Sequence, residues 1–100
     1  MEKDLIYSEL YEVYKKLLTD NQSEVFNLYY LCDLSLGEIS EIKKISRQGV
    51  NDTLNKTREL LEDYETKLGL LTKKRKLLSI IKNINDSELV KELDKIIEDW

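Results

Sequence analysis

Residues 35–58 read SLGEISEIKKISRQGVNDTLNKTR, and this stretch decides the fold. Ser35-x-x-Glu38 is a capping box, in which the serine oxygen takes an orphan backbone N–H and the glutamate reaches back. It opens a short helix with Leu36, Ile39 and Ile42 toward a core and Ser40 where two helices approach closely. A tight turn follows at Lys43-Lys44. Ser46 is the expected N-cap of a second helix that begins Arg47-Gln48. Two helices joined this way form a helix-turn-helix, whose second helix offers its first turns to the major groove of DNA.

Apolar residues must pin the two helices together, and Leu36, Ile39, Ile45, Val50 and Leu54 are spaced to do so. That turns Arg47, Gln48, Asn51, Asp52, Asn55 and Lys56 outward, with Arg58 further along. Arginine pairs bidentately with guanine, and glutamine or asparagine with adenine. Ser46 and the backbone N–H groups at the helix start can hold a phosphate. Lys43, Lys44 and Arg58 are candidates for backbone phosphates, contacts that position without specifying. Spacing alone is equally compatible with an ordinary helical hairpin whose polar face is solvated. The turn also departs from the usual apolar-glycine pair, and a lysine in the left-handed conformation there carries strain of roughly 1 kcal/mol.

Outward from the motif, the remaining chain reads as helices. Helix 1 is expected over 4–18, with Ile6, Leu10, Val13, Tyr14 and Leu17 as one stripe. Thr19-x-x-Gln22 is a second capping box and opens helix 2, whose stripe is Val25, Phe26, Leu28, Tyr29 and Cys32. The helix from Arg47 is long: Val50, Leu54, Thr57, Leu61, Tyr64 and Leu68 keep a constant step, with Leu60 beside them, until Gly69 stops it. At ~1.5 Å per residue it spans ~30 Å. Its second half should leave a small three-helix core and need cover. Leu70, Leu71, Leu77, Leu78, Ile80, Ile81 and Ile84 mark helix 5. Asn85 or Asp86 caps helix 6, with Leu89, Leu93, Ile96, Ile97 and Trp100 on its stripe. The expected fold is therefore all-α: a three- or four-helix core with a long fourth helix (residues 1–69), continued without a linker by a C-terminal helical hairpin (residues 70–100). Leu61, Tyr64, Leu68, Leu77, Ile81, Leu93 and Ile97 are the expected dimerisation surface.

Composition narrows the function. One hundred residues suit one domain, and 41 % apolar residues allow a core. Proline is absent and strand alternation is scarce. No apolar run approaches the ~18 residues of a membrane span, and the N-terminus lacks the pattern of a signal peptide, so a cytosolic chain is expected. With no histidine and only Cys32, a Cys/His zinc site, an internal disulfide, histidine acid-base catalysis and a Cys-His nucleophile are excluded. Cys32 reads as a small buried residue. No metal, cofactor or small-molecule substrate is expected, and the chain does not read as an enzyme.

Charge is uneven. The formal net charge is -4. Of the stretches 1–34, 35–58 and 59–100, only 35–58 is net positive, Lys43, Lys44, Arg47, Lys56 and Arg58 standing against Glu38, Glu41 and Asp52. Phosphate binding depends on the local field, but this one is weak, and a second copy would double it. Glu59, Glu62, Asp63 and Glu65 read as a solvated face. Lys73-Lys74-Arg75-Lys76 reads as the start of an amphipathic helix, with a nucleic-acid contact as the second reading. The six tyrosines read as core residues with hydroxyls at the rim.

The LT-x-x-Q opening of helix 2, the LYY-L-x-DLSLGEI and ISRQGV-x-D blocks, and the LLEDYE-x-KL-x-L tail resemble the YlxM family of small bacterial proteins over about residues 4–70. That family is similar in turn to region 4 of sigma factors. Lys43-Lys44 departs from its usual Leu-Gly. The resemblance implies a helix-turn-helix regulator that binds duplex DNA and is associated with the signal recognition particle pathway. The alternative it leaves is an adaptor that keeps the shape and binds a particle component, its RNA or a GTPase, without DNA.

Overall fold

A computed structural model describes residues 5–100. Helices α1 (Leu5–Tyr14), α2 (Asp20–Phe26), α3 (Leu36–Lys43), α4 (Arg47–Leu68), α5 (Leu70–Ile81) and α6 (Ser87–Glu98) follow one another, and no strand occurs among the described residues. A 3₁₀ turn at Lys15–Leu17 closes α1, so the first helix ends earlier than its stripe suggests; its expected start at Asp4 lies outside the described residues. A π-helical segment, Asn27–Leu31, continues α2.

The helix starts follow from side-chain caps. Thr19 Oγ1 accepts from Gln22 N, and Gln22 Oε1 accepts from Thr19 N, completing one capping box. Ser35 and Glu38 complete the other. Ser46 Oγ accepts from Gly49 N, and Asp86 Oδ1 accepts from Glu88 N and Leu89 N. Gly69 takes the left-handed conformation at φ 63°, which stops α4 without the strain a side chain would bring. Helix α5 then starts at once, and its cap comes from the preceding helix. The Glu65 carboxylate accepts from Leu71 N, Thr72 N and Thr72 Oγ1. Tyr14 donates its hydroxyl proton to Glu65 Oε1 and accepts from Leu70 N. Glu65 was expected on a solvated face; it is instead the joint between α4 and α5.

Two apolar clusters lie along α4. In one, Val25 of α2, Ile39 of α3, and Val50 and Leu54 of α4 pack together, completely or almost completely buried. This cluster is the brace of the helix-turn-helix. In the other, Leu10, Tyr11 and Tyr14 of α1 meet Phe26, Leu61 and Leu71. Tyr11 stacks on Phe26 with ring centroids 4.5 Å apart, and Phe26 on Tyr30 at 4.3 Å.

The second cluster corrects one expectation. The tail of α4 is covered by α1 and α5 of the same chain. Leu61 is fully buried there, and Tyr64 packs against it with its ring 5.8 Å from that of Tyr14. Ile81 and Ile97 are likewise buried within the chain. These three aliphatic residues cannot serve as a dimerisation surface while the fold is intact. Leu68 is 46 % exposed, and Leu77 and Leu93 are half-buried. Three smaller expectations also change. Cys32 is exposed, because the π-helical turn ends before it. Ile42 is 56 % exposed instead of facing the core. Ile84 falls beyond the end of α5. The whole is elongated, 52 × 26 × 26 Å, as a long α4 dictates. Among the described residues no helix is long and apolar enough to cross a membrane.

Candidate nucleic-acid interface

The turn between α3 and α4 explains its unusual lysines. Lys44 sits in the left-handed region at φ 58°, ψ 43°, where its N–H still closes α3 on Ser40 O. Lys43 takes the place of an apolar residue by laying its stem inward and pairing its ammonium with Glu24 of α2. Ile42 does not replace the missing apolar contact. Ile45, also expected to pin the helices, is 41 % exposed. The pinning falls to Ile39, Val50 and Leu54, with Leu36 packed against them.

Helix α4 presents its polar face from this brace. Arg47, Gln48, Asp52, Asn55 and Lys56 are exposed, and Asn51 is half-buried. The face is internally ordered. Gln48 Nε2 donates to Asp52 Oδ1 at 2.8 Å. Arg58 Nη1 donates to Asn55 Oδ1 at 2.9 Å. The Arg47 side chain lies back across the first turn of α3: a Cβ on Gly37 would come within 2.9 Å of Arg47 Nη2. Gly37 thus leaves the space that Arg47 occupies. Ser46, expected to take a phosphate, uses its oxygen as acceptor in the N-cap bond from Gly49 N, and its O–H remains as a donor.

Arg58 is placed otherwise than expected. Its Nε donates to Tyr30 Oη at 2.7 Å, and its guanidinium carbon lies 5.9, 5.7 and 5.6 Å from the ring centroids of Tyr7, Tyr29 and Tyr30. It is a half-buried cation held by α1 and the π-helical segment, not an exposed phosphate contact. Of the five cations in the motif, Lys43 is paired and Arg58 is caged. Lys44, Arg47 and Lys56 are exposed, with the Asp52 carboxylate among them. Among the described residues no group of three or more His, Cys, Asp or Glu side chains is placed to hold a metal ion.

The family model “UPF0122: Putative helix-turn-helix protein, YlxM / p13 like” matches residues 1–100. The chain belongs to the UPF0122 family. It is 51 % identical over 87 residues to UPF0122 protein TTE1463 of Caldanaerobacter subterraneus, covering 86 % of this chain and 74 % of that one. It is 41 % identical over 108 residues to UPF0122 protein GK1195 of Geobacillus kaustophilus, covering 96 % and 98 %. A third relative, from Mycoplasma mycoides, is 42 % identical over 102 residues, covering 97 % and 90 %. The expected resemblance to YlxM proteins is therefore the family itself. In this UPF0122 protein, Glu24, Gly37, Tyr7, Tyr29 and Tyr30 are the site-shaping residues that sequence reasoning missed. Each acts from another element, so no local spacing could reveal it; only Gly37, a glycine inside a short helix, carried a visible signal.

Proposed function

We propose that this UPF0122 protein binds duplex DNA through the first turns of α4 and does so as a homodimer. The observation that carries the reading is the two-sidedness of those turns. Val50 and Leu54 are buried against Ile39, while Arg47, Gln48, Asp52, Asn55 and Lys56 face outward. A braced helix with amides and an arginine on its free side is built to enter a major groove. Lys44 and Lys56 supply the nearby backbone charge. With so few exposed cations, a single copy binds weakly, and two recognition helices about 34 Å apart would read adjacent half-sites. Exposed Leu68 and the partly exposed Leu77 and Leu93 are the members of the expected dimer surface still open to a second copy.

Fluorescence anisotropy with labelled duplex tests this at ~50 mM salt, where the electrostatic term is large. Binding should weaken steeply as salt rises, and Arg47→Ala should reduce it by about ten-fold. An absence of binding at about 10 µM protein and low salt overturns the proposal, since even non-specific binders register in that range.

The second reading is an adaptor of the signal recognition particle pathway that contacts a particle component, RNA or GTPase, without DNA. Two observations favour it. Lys43 is neutralised by Glu24, and Ile42 and Ile45 stand exposed at the turn, where an apolar partner surface would cover them. Pull-down of purified particle components separates the readings. Retention of a GTPase that survives Arg47→Ala but fails in Ile42→Asp supports the adaptor. By the family resemblance alone, the DNA-binding reading would make the protein a regulator of that pathway and the adaptor reading a participant in it.

A further inference from the structure

The polar face of α4 carries two carboxamides, Gln48 and Asn55, and their neighbours hold them in opposite senses. At Asn55 the oxygen is engaged: Oδ1 accepts from Arg58 Nη1 at 2.9 Å, which turns the Nδ2 hydrogens outward. At Gln48 it is the nitrogen that is engaged: Nε2 donates one hydrogen to Asp52 Oδ1 at 2.8 Å, which leaves Oε1 and the second hydrogen facing out. The Arg58 restraint is rigid. Its guanidinium is fixed by Tyr30 Oη at 2.7 Å and lies against the rings of Tyr7, Tyr29 and Tyr30.

The two base edges that amides read differ in the same way. Adenine presents an acceptor, N7, beside a donor, the N6 amino group, so a bidentate partner needs both an oxygen and an N–H. Guanine presents two acceptors, N7 and O6. We propose that Arg58 is a positioning residue that fixes Asn55 as a donor-only contact to guanine, while Asp52 orients Gln48 as the adenine reader. The inference rests on the DNA-binding reading and extends it to specificity. Arg58 then has no phosphate to bind; its charge is spent inside the fold on the hydrogen-bonding sense of a neighbour.

Selection from a randomised duplex pool, followed by sequencing, tests this with the full chain. The wild type should enrich a guanine at the column that Asn55→Ala makes indifferent, and an adenine at the column that Gln48→Ala makes indifferent. Arg58→Lys keeps the charge, so the salt dependence of binding should hold. It removes the fork that holds Oδ1, so the guanine-to-adenine ratio at the Asn55 column should fall by about ten-fold while the Gln48 column stays. Tyr30→Phe keeps the ring and loses only the Nε partner. It should shift the same column in the same direction by less, and it guards against Arg58→Lys failing to fold. Adenine at the Asn55 column of the wild type, no column that depends on Asn55, or a column blind to both variants overturns the inference while leaving DNA binding in place. A pool retained without enrichment at any column overturns the inference alone, and a pool that the wild type fails to retain at low salt overturns the DNA-binding reading together with it.

Discussion

At the scale of single residues, Lys44 shows what the turn costs. A non-glycine residue in the left-handed region is strained by about 1–2 kcal/mol. Glycine would relieve that strain but add about 0.4–1 kcal/mol of unfolded-state entropy. Lys44→Gly should therefore stabilise the protein by about 0.5–1 kcal/mol and raise the melting temperature by about 4 °C in circular dichroism. The same variant removes an exposed cation beside the reading face, so DNA affinity should fall as stability rises. Gly37 answers to a different demand. Its helical conformation suits any residue, but a Cβ would press on the Arg47 guanidinium. Gly37→Ala should raise the melting temperature by about 4 °C, because alanine is favoured over glycine in a helix by about 1 kcal/mol and the guanidinium can move aside, and it should weaken DNA binding by less than Arg47→Ala does. A variant with full DNA affinity would show that the resting place of Arg47 is unrelated to its use.

At the scale of elements, Glu65 holds α5 to α4 through bonds to two backbone amides and a threonine, with Tyr14 donating to it as well. Glu65→Ala strips these and should destabilise the protein by about 2 kcal/mol, roughly 10 °C in melting temperature. The pH dependence follows from the same contacts. Partial burial opposes ionisation of Glu65, but hydrogen bonds from Tyr14, Thr72 and the Leu71 and Thr72 amides outweigh it, so the carboxyl is held below its ordinary 4.5. The folded state therefore binds this proton less readily than the unfolded one. Its contribution is complete above about 4.5 and is lost as the pH falls through the lower folded value. Glu65→Gln should flatten that part of the acid titration of stability. In alkali two tyrosines matter: Tyr14 is raised by burial and then by its hydrogen bond to Glu65, and Tyr7 is raised furthest on different grounds. Its hydrogen bond to Glu62, then burial, then the Glu62 charge push it up from 10.0 to about 12, so its contribution is full below 10 and fades as the pH rises toward 12. Tyr7→Phe should remove its part of the alkaline loss and leave the part that Tyr14 contributes. The element boundaries were legible because caps are local: Thr19 with Gln22, Ser35 with Glu38, Ser46, Gly69 and Asp86 announce themselves within four residues. The partners of Glu65 and Arg58 were not legible. Tyr14 lies 51 residues from Glu65 and Tyr30 lies 28 from Arg58, and no periodicity encodes which faces meet at that distance.

At the scale of the whole molecule, the question is what covers the apolar surface of an elongated chain. The length of α4 and the stripe along it were readable, but the stripe's partner was not. A continuous stripe says that something must cover it, and α1 of the same chain and a second copy satisfy that demand equally well. The fold uses α1 for Leu61 and Tyr64, and α5 closes the second cluster at Leu71. Exposed aliphatic side chains stand at Leu31, at Ile42 and Ile45 beside the turn, and also at the far end of α4 and on the C-terminal hairpin: Leu68 at 46 %, Ile80 and Ile96 at 61 %, and Leu89 at 42 % exposed. Aliphatic residues this exposed on the end of α4 and on both helices of the hairpin are the kind of surface that a second copy buries, each contributing about 0.6–1.8 kcal/mol for the part of it still exposed. A two-fold contact there would join the chains through the end of the molecule opposite the braced start of α4, leaving both recognition faces free. Sedimentation at micromolar concentration should then report twice the 11.8 kDa chain mass. Ile80→Glu and Ile96→Glu, alone or together, should return the monomer with its helical circular dichroism intact. Leu61→Glu, by contrast, should unfold the protein, because that side chain is committed to the monomer core. If the wild type sediments as a monomer at these concentrations, the hairpin does not dimerise, and the weak positive face of one copy must find its target alone.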